Sequence, residues 1–335
     1  MFSNFIHEGP RKPVLISTRV DKIHPRARLL NQIRVTVVTI LALILLIPIF
    51  VMIMTAFKSR ADVVSVPPKI IFEPTLEGFV YLLTERAVVP QSQMAALQAA
   101  AEAGELNYFQ RIALRTGQII TGPSDYVDRL RNSVIIAGLS TLFSVILGVF
   151  AAYAFSRFPI PGKDDLLFFI LSTRMLPPVV VTIPLFLMYR QLKLHDTHLG
   201  MILLYTVFNL SLAVWLLKGF MDEIPTEYED AAMVDGYTRF QAFYKIVLPQ
   251  AATGIAATTV FCLIFAWNEY AFALMLTSDD ARTAPPSIAT MLGRGGIEWS
   301  AIAAGSLGFL IPVVFVTFLL RNHLLRGVTF GAVRR

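Results

Sequence analysis

The sequence predicts an all-α integral membrane protein with six transmembrane helices and both termini on the cytoplasmic side. Three observations predict it. Apolar residues make up 55% of the 335, and charged residues only 16%, against about 25% in a typical soluble domain. Six apolar runs carry at most one charge each and reach the roughly 20 residues needed to cross a bilayer. Lys and Arg are distributed unequally between the connections. With a mean hydropathy of +0.63, a soluble fold of this size lacks the polar surface to cover its apolar residues. A soluble enzyme, a disordered chain and a fibre are thereby excluded. The single cysteine, Cys262, excludes an internal disulfide framework and a cysteine-only zinc site.

The elements follow in order. Residues 1–34 form a basic cytoplasmic segment with seven Lys and Arg. No small-residue cleavage site follows the next apolar run, so the pair reads as lead-in and true span, not as a signal peptide. The predicted spans are Val35–Phe57, Asn132–Ser156, Leu166–Tyr189 with Arg174, Leu199–Leu217, Ala251–Thr277 with Glu269, and Ser300–Leu320. Together they form a transmembrane domain over residues 35–320, followed by a tail over 321–335. Each run is continuously apolar, which suits helices and not the alternating strands of a barrel.

Sixteen Lys and Arg fall on the side of both termini, in 1–34, 157–163, 218–249 and 321–335, against four in the short loops opposite. The loop 58–131 holds eight, but long loops count little in this bias. Loops 58–131, 190–198 and 278–299 are therefore expected outside. The net charge of +6 reflects this asymmetry and implies no nucleic-acid partner. Within 58–131, Gln91–Arg115 is rich in Ala, Gln, Glu and Leu at partly helical spacing. One or two short helices are expected there, either as a decorative insertion or as a contact for substrate or partner.

The loop 218–249 carries the strongest local signals. Thr226 and Glu229 have capping-box spacing, as do Thr238 and Gln241. Gly236 between them can take the left-handed conformation that ends a helix. Pro249 is tolerated in the first turn of the following span. Helix, glycine turn, helix and span thus make an elbow.

The same residues resemble the signature loop of binding-protein-dependent ABC importers: Glu-Ala-Ala, three residues, Gly, nine residues, Ile-x-Leu-Pro. Asp230, Ala231 and Ala232 take the triplet, Gly236 the glycine, and Ile246, Leu248 and Pro249 the end. Asp230 keeps the acid but is one methylene shorter than Glu, and Glu229 stands beside it. Further stretches are similar to carbohydrate-uptake permeases, the second maltose-type subunit in particular. They include 130–133, 151–158, Met175–Pro178, Tyr205–Asn209, Trp267–Tyr270 and 327–333.

Residues of about 86–122 form an insertion against that pattern. The resemblance implies the type I importer permease fold in the bacterial inner membrane. It implies a second permease subunit, two ATPase subunits seated on Glu229–Ala232, Gly236, Leu248 and Pro249, and a periplasmic solute-binding protein delivering a sugar or polyol. No cofactor is expected in this chain; ATP and Mg belong to the ATPases.

Charged and polar groups inside spans are expensive and need a reason. Arg174 lies about 14 Å into its span at 1.5 Å per residue. It either binds sugar hydroxyls or an anion along the path, or pairs structurally with an acid or with carbonyls freed by Pro177 and Pro178. Glu269 is expected near the outer interface, about 13 Å away in depth, with Arg190 the better-matched partner. Asn209 and Asn268 suit either substrate hydroxyls or inter-helix hydrogen bonds. The sequence contains no Gly-x4-Gly-Lys-Ser/Thr loop, no His-Glu-x-x-His and no nucleophile elbow, so no catalysis is expected of this chain. An ion-coupled secondary transporter is the alternative. It would show inverted repeats, broken midplane helices and paired intramembrane acids; a membrane-embedded enzyme would need clustered catalytic groups.

Overall fold

The computed structural model describes residues 25–293 and 296–330. The basic segment 1–24, Arg294, Gly295 and 331–335 lie outside the described residues, and with them part of the predicted cytoplasmic lead-in and tail. The chain divides into two units, residues 1–51 and 52–335. Helix α1 (Pro25–Ala56) begins in the first; its start is basic, with Arg26, Arg28 and Arg34, and from Val35 it carries no charge, as a lipid-facing helix requires.

In the second unit, a single helical turn at Arg60–Val63 is followed by α2 (Glu77–Leu83) and β1 (Thr84–Val88). The expected short helices follow: α3 (Gln91–Glu102) and α4 (Tyr108–Thr116). Asn107 and Gln110 form a reciprocal capping box at the start of α4. Strand β2 (Gln118–Pro123) returns antiparallel to β1, pairing Thr84 with Pro123 and Val88 with Gln118. Residues 84–123 thus form a closed lobe on a two-stranded stem. Glu77, buried in α2, accepts from Tyr81 Oη at 2.8 Å and pairs with Arg115 of α4. That ion pair ties the lobe to the body.

The bundle comprises α5 (Tyr126–Arg157), α6 (Lys163–Ser172), α7 (Pro178–Gln191), α8 (His198–Asp222), the elbow helices α9 (Glu227–Val234) and α10 (Arg239–Ala242), α11 (Ala252–Trp267), α12 (Ala271–Leu276), α13 (Ala284–Ala289) and α14 (Trp299–Phe330). Helices α5 and α8 form its centre. A Cβ at Gly148 would sit 2.7 Å from Ala213 Cβ, so only glycine permits this approach. Ser144 Oγ donates across the seam to Thr206 O at 3.0 Å. Small residues plus hydroxyl bonds are how helices associate where lipid supplies no hydrophobic drive.

Among the described residues, four continuous helices are long and apolar enough to span: Leu30–Ala56, Tyr126–Arg157, His198–Asp222 and Trp299–Leu319. They match the first, second, fourth and sixth predicted spans. The third and fifth are not the straight helices expected. The third breaks after a single 3₁₀ turn, Thr173–Met175, and the pieces meet at 91°. Pro177 and Pro178 donate no N–H, and the pre-proline residue is driven extended; Leu176 has ψ 124°. The fifth, predicted from Ala251, begins at a 71° bend where Arg239–Gln250 meets α11. It is interrupted at Asn268–Tyr270, between α11 and α12.

At the end of the bundle away from the elbow, two connections are latched. Asp196 has φ +55°. Its carboxylate accepts the backbone N–H groups of Ser278, Asp279, Asp280 and Ala281 at 2.9–3.2 Å. Burial opposes its ionisation, but the four donors together hold the carboxyl below the ordinary Asp value. A lowered folded pKa adds stability above the unfolded value, about 3.9. That stability is lost as pH falls through the folded pKa. Asp196→Asn tolerates the positive φ and isolates the charge. It should lower the melting temperature in detergent at pH 7, with the gap closing below about pH 4. A gap independent of pH would show that ionisation does not hold the latch.

Candidate functional site

The elbow is built by local chemistry. At its glycine turn, Tyr237 N donates to Ala232 O at 3.0 Å and Gly236 N to Met233 O at 3.1 Å, the paired bonds of a Schellman stop. Gly236 has φ +90°. The second capping box forms as expected, with Thr238 N donating to Gln241 Oε1 at 2.8 Å and Gln241 N to Thr238 Oγ1 at 3.3 Å. The first does not: Thr226 makes no side-chain cap. Its partner Glu229 turns into the bundle, accepting from Tyr153 Oη at 2.7 Å and pairing with Arg157 Nε. A full ionic partner outcompetes one exposed backbone N–H.

Glu229 and Ala232 are therefore buried in the bundle and offer no surface to a partner, which corrects the expected seat on Glu229–Ala232, whereas Asp230 and Ala231 face out. The Asp230 carboxylate has no partner among the described residues. On the same elbow, Tyr228, Val234, Tyr237, Phe240 and Tyr244 expose apolar surface, Val234 to 87%. An elbow that exposes an unpaired acid and several aromatics has the composition of a docking face. Leu248 is half-buried and Pro249 exposed, both in the short turn Leu248–Gln250 before α11.

A second site lies between α8, α11 and the break in the third span, with Leu176 and Phe265 half exposed at its edge. Arg174, Tyr205, Asn209, Phe265, Glu269 and Phe272 line a cavity of about 210 Å³. The guanidinium sits 4.2 Å over the Phe265 ring and donates to Phe208 O at 3.2 Å. It makes no ion pair among the described residues. Glu269 shares the cavity because of the break at 268–270. Its carboxylate accepts Phe272 N at 2.9 Å, Ala273 N at 3.1 Å and Tyr205 Oη at 2.6 Å, so it caps α12. The depth estimate assumed a straight helix and does not apply to this broken one. Arg190 stacks on Phe186 instead of pairing with Glu269.

Asn209 donates to Cys262 O at 3.1 Å at the cavity wall. Asn268 donates to Ile264 O at 2.8 Å on an exposed face and is not among the lining residues. Tyr153, Arg157, Tyr205 and Phe265 are not among the site residues that the sequence predicts, although the first three lie in the family-like stretches 151–158 and Tyr205–Asn209. The i, i+4 spacing of Tyr153 and Arg157 at the end of a span was the available signal.

Residues 144–330 match the family described as binding-protein-dependent transport system inner membrane component. That is more than half the chain. The chain belongs to this family. The permease is 30% identical over 295 residues to a probable ABC transporter permease of Sinorhizobium fredii, covering 88% of this chain and 92% of the relative. It is 39% identical over 212 residues to the trehalose transport system permease SugB of Mycobacterium tuberculosis, covering 62% and 77%. Among solved structures, a bacterial ABC transporter involved in the import of the acidic polysaccharide alginate matches with a TM-score of 0.60 and 19% identity, over 89% of this chain and 97% of that one. That last likeness is one of fold.

Proposed function

We propose that this permease is the translocating subunit of an ATP-driven importer in a bacterial inner membrane, and that its cargo is a sugar or polyol. A second permease completes the path, two ATPase subunits seat on the elbow, and a periplasmic solute-binding protein delivers the cargo. Hydrolysis of ATP, with Mg, belongs to the ATPases; this chain carries no cofactor and no catalytic group. The observation that carries the reading is the elbow itself. Asp230 is unpaired and outward, the glycine turn holds φ +90°, and the elbow exposes Val234 and four aromatic side chains. The sugar class rests on the names of relatives such as the trehalose permease. It is supported by the aromatic cavity, whose phenylalanines suit the apolar faces of a sugar ring while Arg174 donates to its hydroxyls.

The broken third and fifth spans are features that an ion-coupled transporter also shows. Glu269, however, is committed to capping α12 and to Tyr205, and among the described residues no second acid lines the cavity. Co-expression with the ATPases decides between the two. The importer reading expects them to copurify with the permease and to hydrolyse ATP faster with binding protein and sugar. A permease that purifies alone and transports on an ion gradient ends it.

Topology is checked separately. Reporter fusions after Arg157, near Thr238 and at the C-terminus should report cytoplasm; fusions near Gly104, Asp196 and Ala284 should report periplasm. A reversed label at any two positions defeats the orientation.

A further inference from the structure

Helix α9 has only two buried residues, Glu229 and Ala232. One of its two anchors to the bundle is thus a carboxylate. Arg157 and Glu229 each expose only 6% of their side chains. Arg157 also donates Nη2 to Ile224 O at 2.8 Å, just before the elbow. Tyr153 joins both halves of the elbow: its hydroxyl holds Glu229, and its ring lies 4.6 Å from that of Phe243, which follows α10. Both residues lie four apart on the last turns of α5, a single helix of 32 residues, about 48 Å long at 1.5 Å per residue.

The opposite end of α5 is also tied, chiefly by hydrogen bonds from Asn132 and to Ser133. Arg129 pairs with Asp279 at 3.1 Å. Asn132 Nδ2 donates to Asp280 O and Arg282 O at 2.9 and 3.0 Å. Ser133 Oγ accepts from Ala284 N at 2.9 Å.

We propose that Tyr153, Arg157 and Glu229 are positioning residues that transmit elbow movement through α5 to the connection 278–284 at the outer mouth. This inference rests on the reading of the elbow as the ATPase seat. A buried pair clamped to a continuous helix moves with it as one body. An exposed or purely apolar contact would let the elbow slide.

The test uses the assembled importer in vesicles, with Asp280→Cys as reporter and ATP with Mg as the driving ligand. Native Cys262 is buried. A membrane-impermeant maleimide should label the reporter at a rate that changes severalfold on adding ATP. Glu229→Gln should keep the ATPases bound and reduce that response by roughly 2- to 30-fold, the range of coupling changes for residues along such networks. Tyr153→Phe keeps the ring contact, so it should reduce the response less, and it decides the matter should Glu229→Gln fail to accumulate.

A full response in a variant that accumulates overturns the proposal, as does an unresponsive reporter in the parent. Loss of ATPase from Glu229→Gln at normal permease abundance also overturns it, because the pair would then only shape the seat. Absence of ATPases from the parent complex is a different outcome and removes the elbow reading itself.

Discussion

Asp230→Lys is expected to strip the ATPase subunits from the purified importer, with retention falling at least about tenfold, since juxtaposed like charges at an interface cost several kcal/mol. The permease itself should accumulate normally. Asp230 is exposed and unpartnered, so its replacement disturbs no internal contact. Asp230→Asn removes the attraction without adding repulsion and should weaken retention less. Gly236→Val probes the same face through the backbone. No atom lies within 4 Å of a Cβ built at Gly236, so the substitution is not crowded. At φ +90° it is strained, by about 1–3 kcal/mol for a side chain held in a sparsely populated conformation. The elbow should relieve that strain by opening the turn, swinging α9 against α10. ATPase retention on the purified permease, measured at matched abundance, decides. Wild-type retention and coupled transport in both Asp230→Lys and Gly236→Val would remove the elbow from the coupling role.

Arg174→Ala is expected to abolish most transport while leaving the ATPases docked. The guanidinium spends one donor on Phe208 O and its face on Phe265, and its remaining donors are available to the cavity. A hydrogen bond to a charged group contributes about 1.5–3 kcal/mol, or roughly tenfold to a hundredfold in rate if it forms in the transition state of translocation. Arg174→Lys keeps the charge but neither the planar fork nor the ring stacking, so rescue should be partial. The readout is uptake of the radiolabelled sugar that best stimulates the assembled ATPases, per unit of permease in the membrane. Normal uptake by Arg174→Ala at normal abundance would leave Arg174 a structural residue that satisfies the Phe208 carbonyl. Loss of abundance together with loss of uptake would point the same way.

Local chemistry was legible in the sequence wherever neighbours along the chain determine the outcome. Apolar runs of sufficient length can only be helices in lipid, so four spans appear where hydropathy puts them. The Thr238–Gln241 box and the glycine stop at Gly236 involve residues within a few positions of each other, and they form as their spacing predicts. Family membership was also legible, because Asp230-Ala231-Ala232, Gly236 and Leu248-Pro249 keep fixed offsets. What only the tertiary structure decided involves residues far apart in the chain. Thr226 loses its capping partner because Arg157, 72 positions from Glu229, offers a stronger one. Arg174 and Glu269 meet one cavity because two spans break, a geometry that a run of apolar residues does not encode beyond the Pro177-Pro178 pair. Asp196 is ordinary in sequence and becomes a latch only when the backbone of 278–281 folds around it. Hydropathy and capping act over one or two turns of chain, whereas a buried charge takes its partner from whichever element packing brings within hydrogen-bond reach.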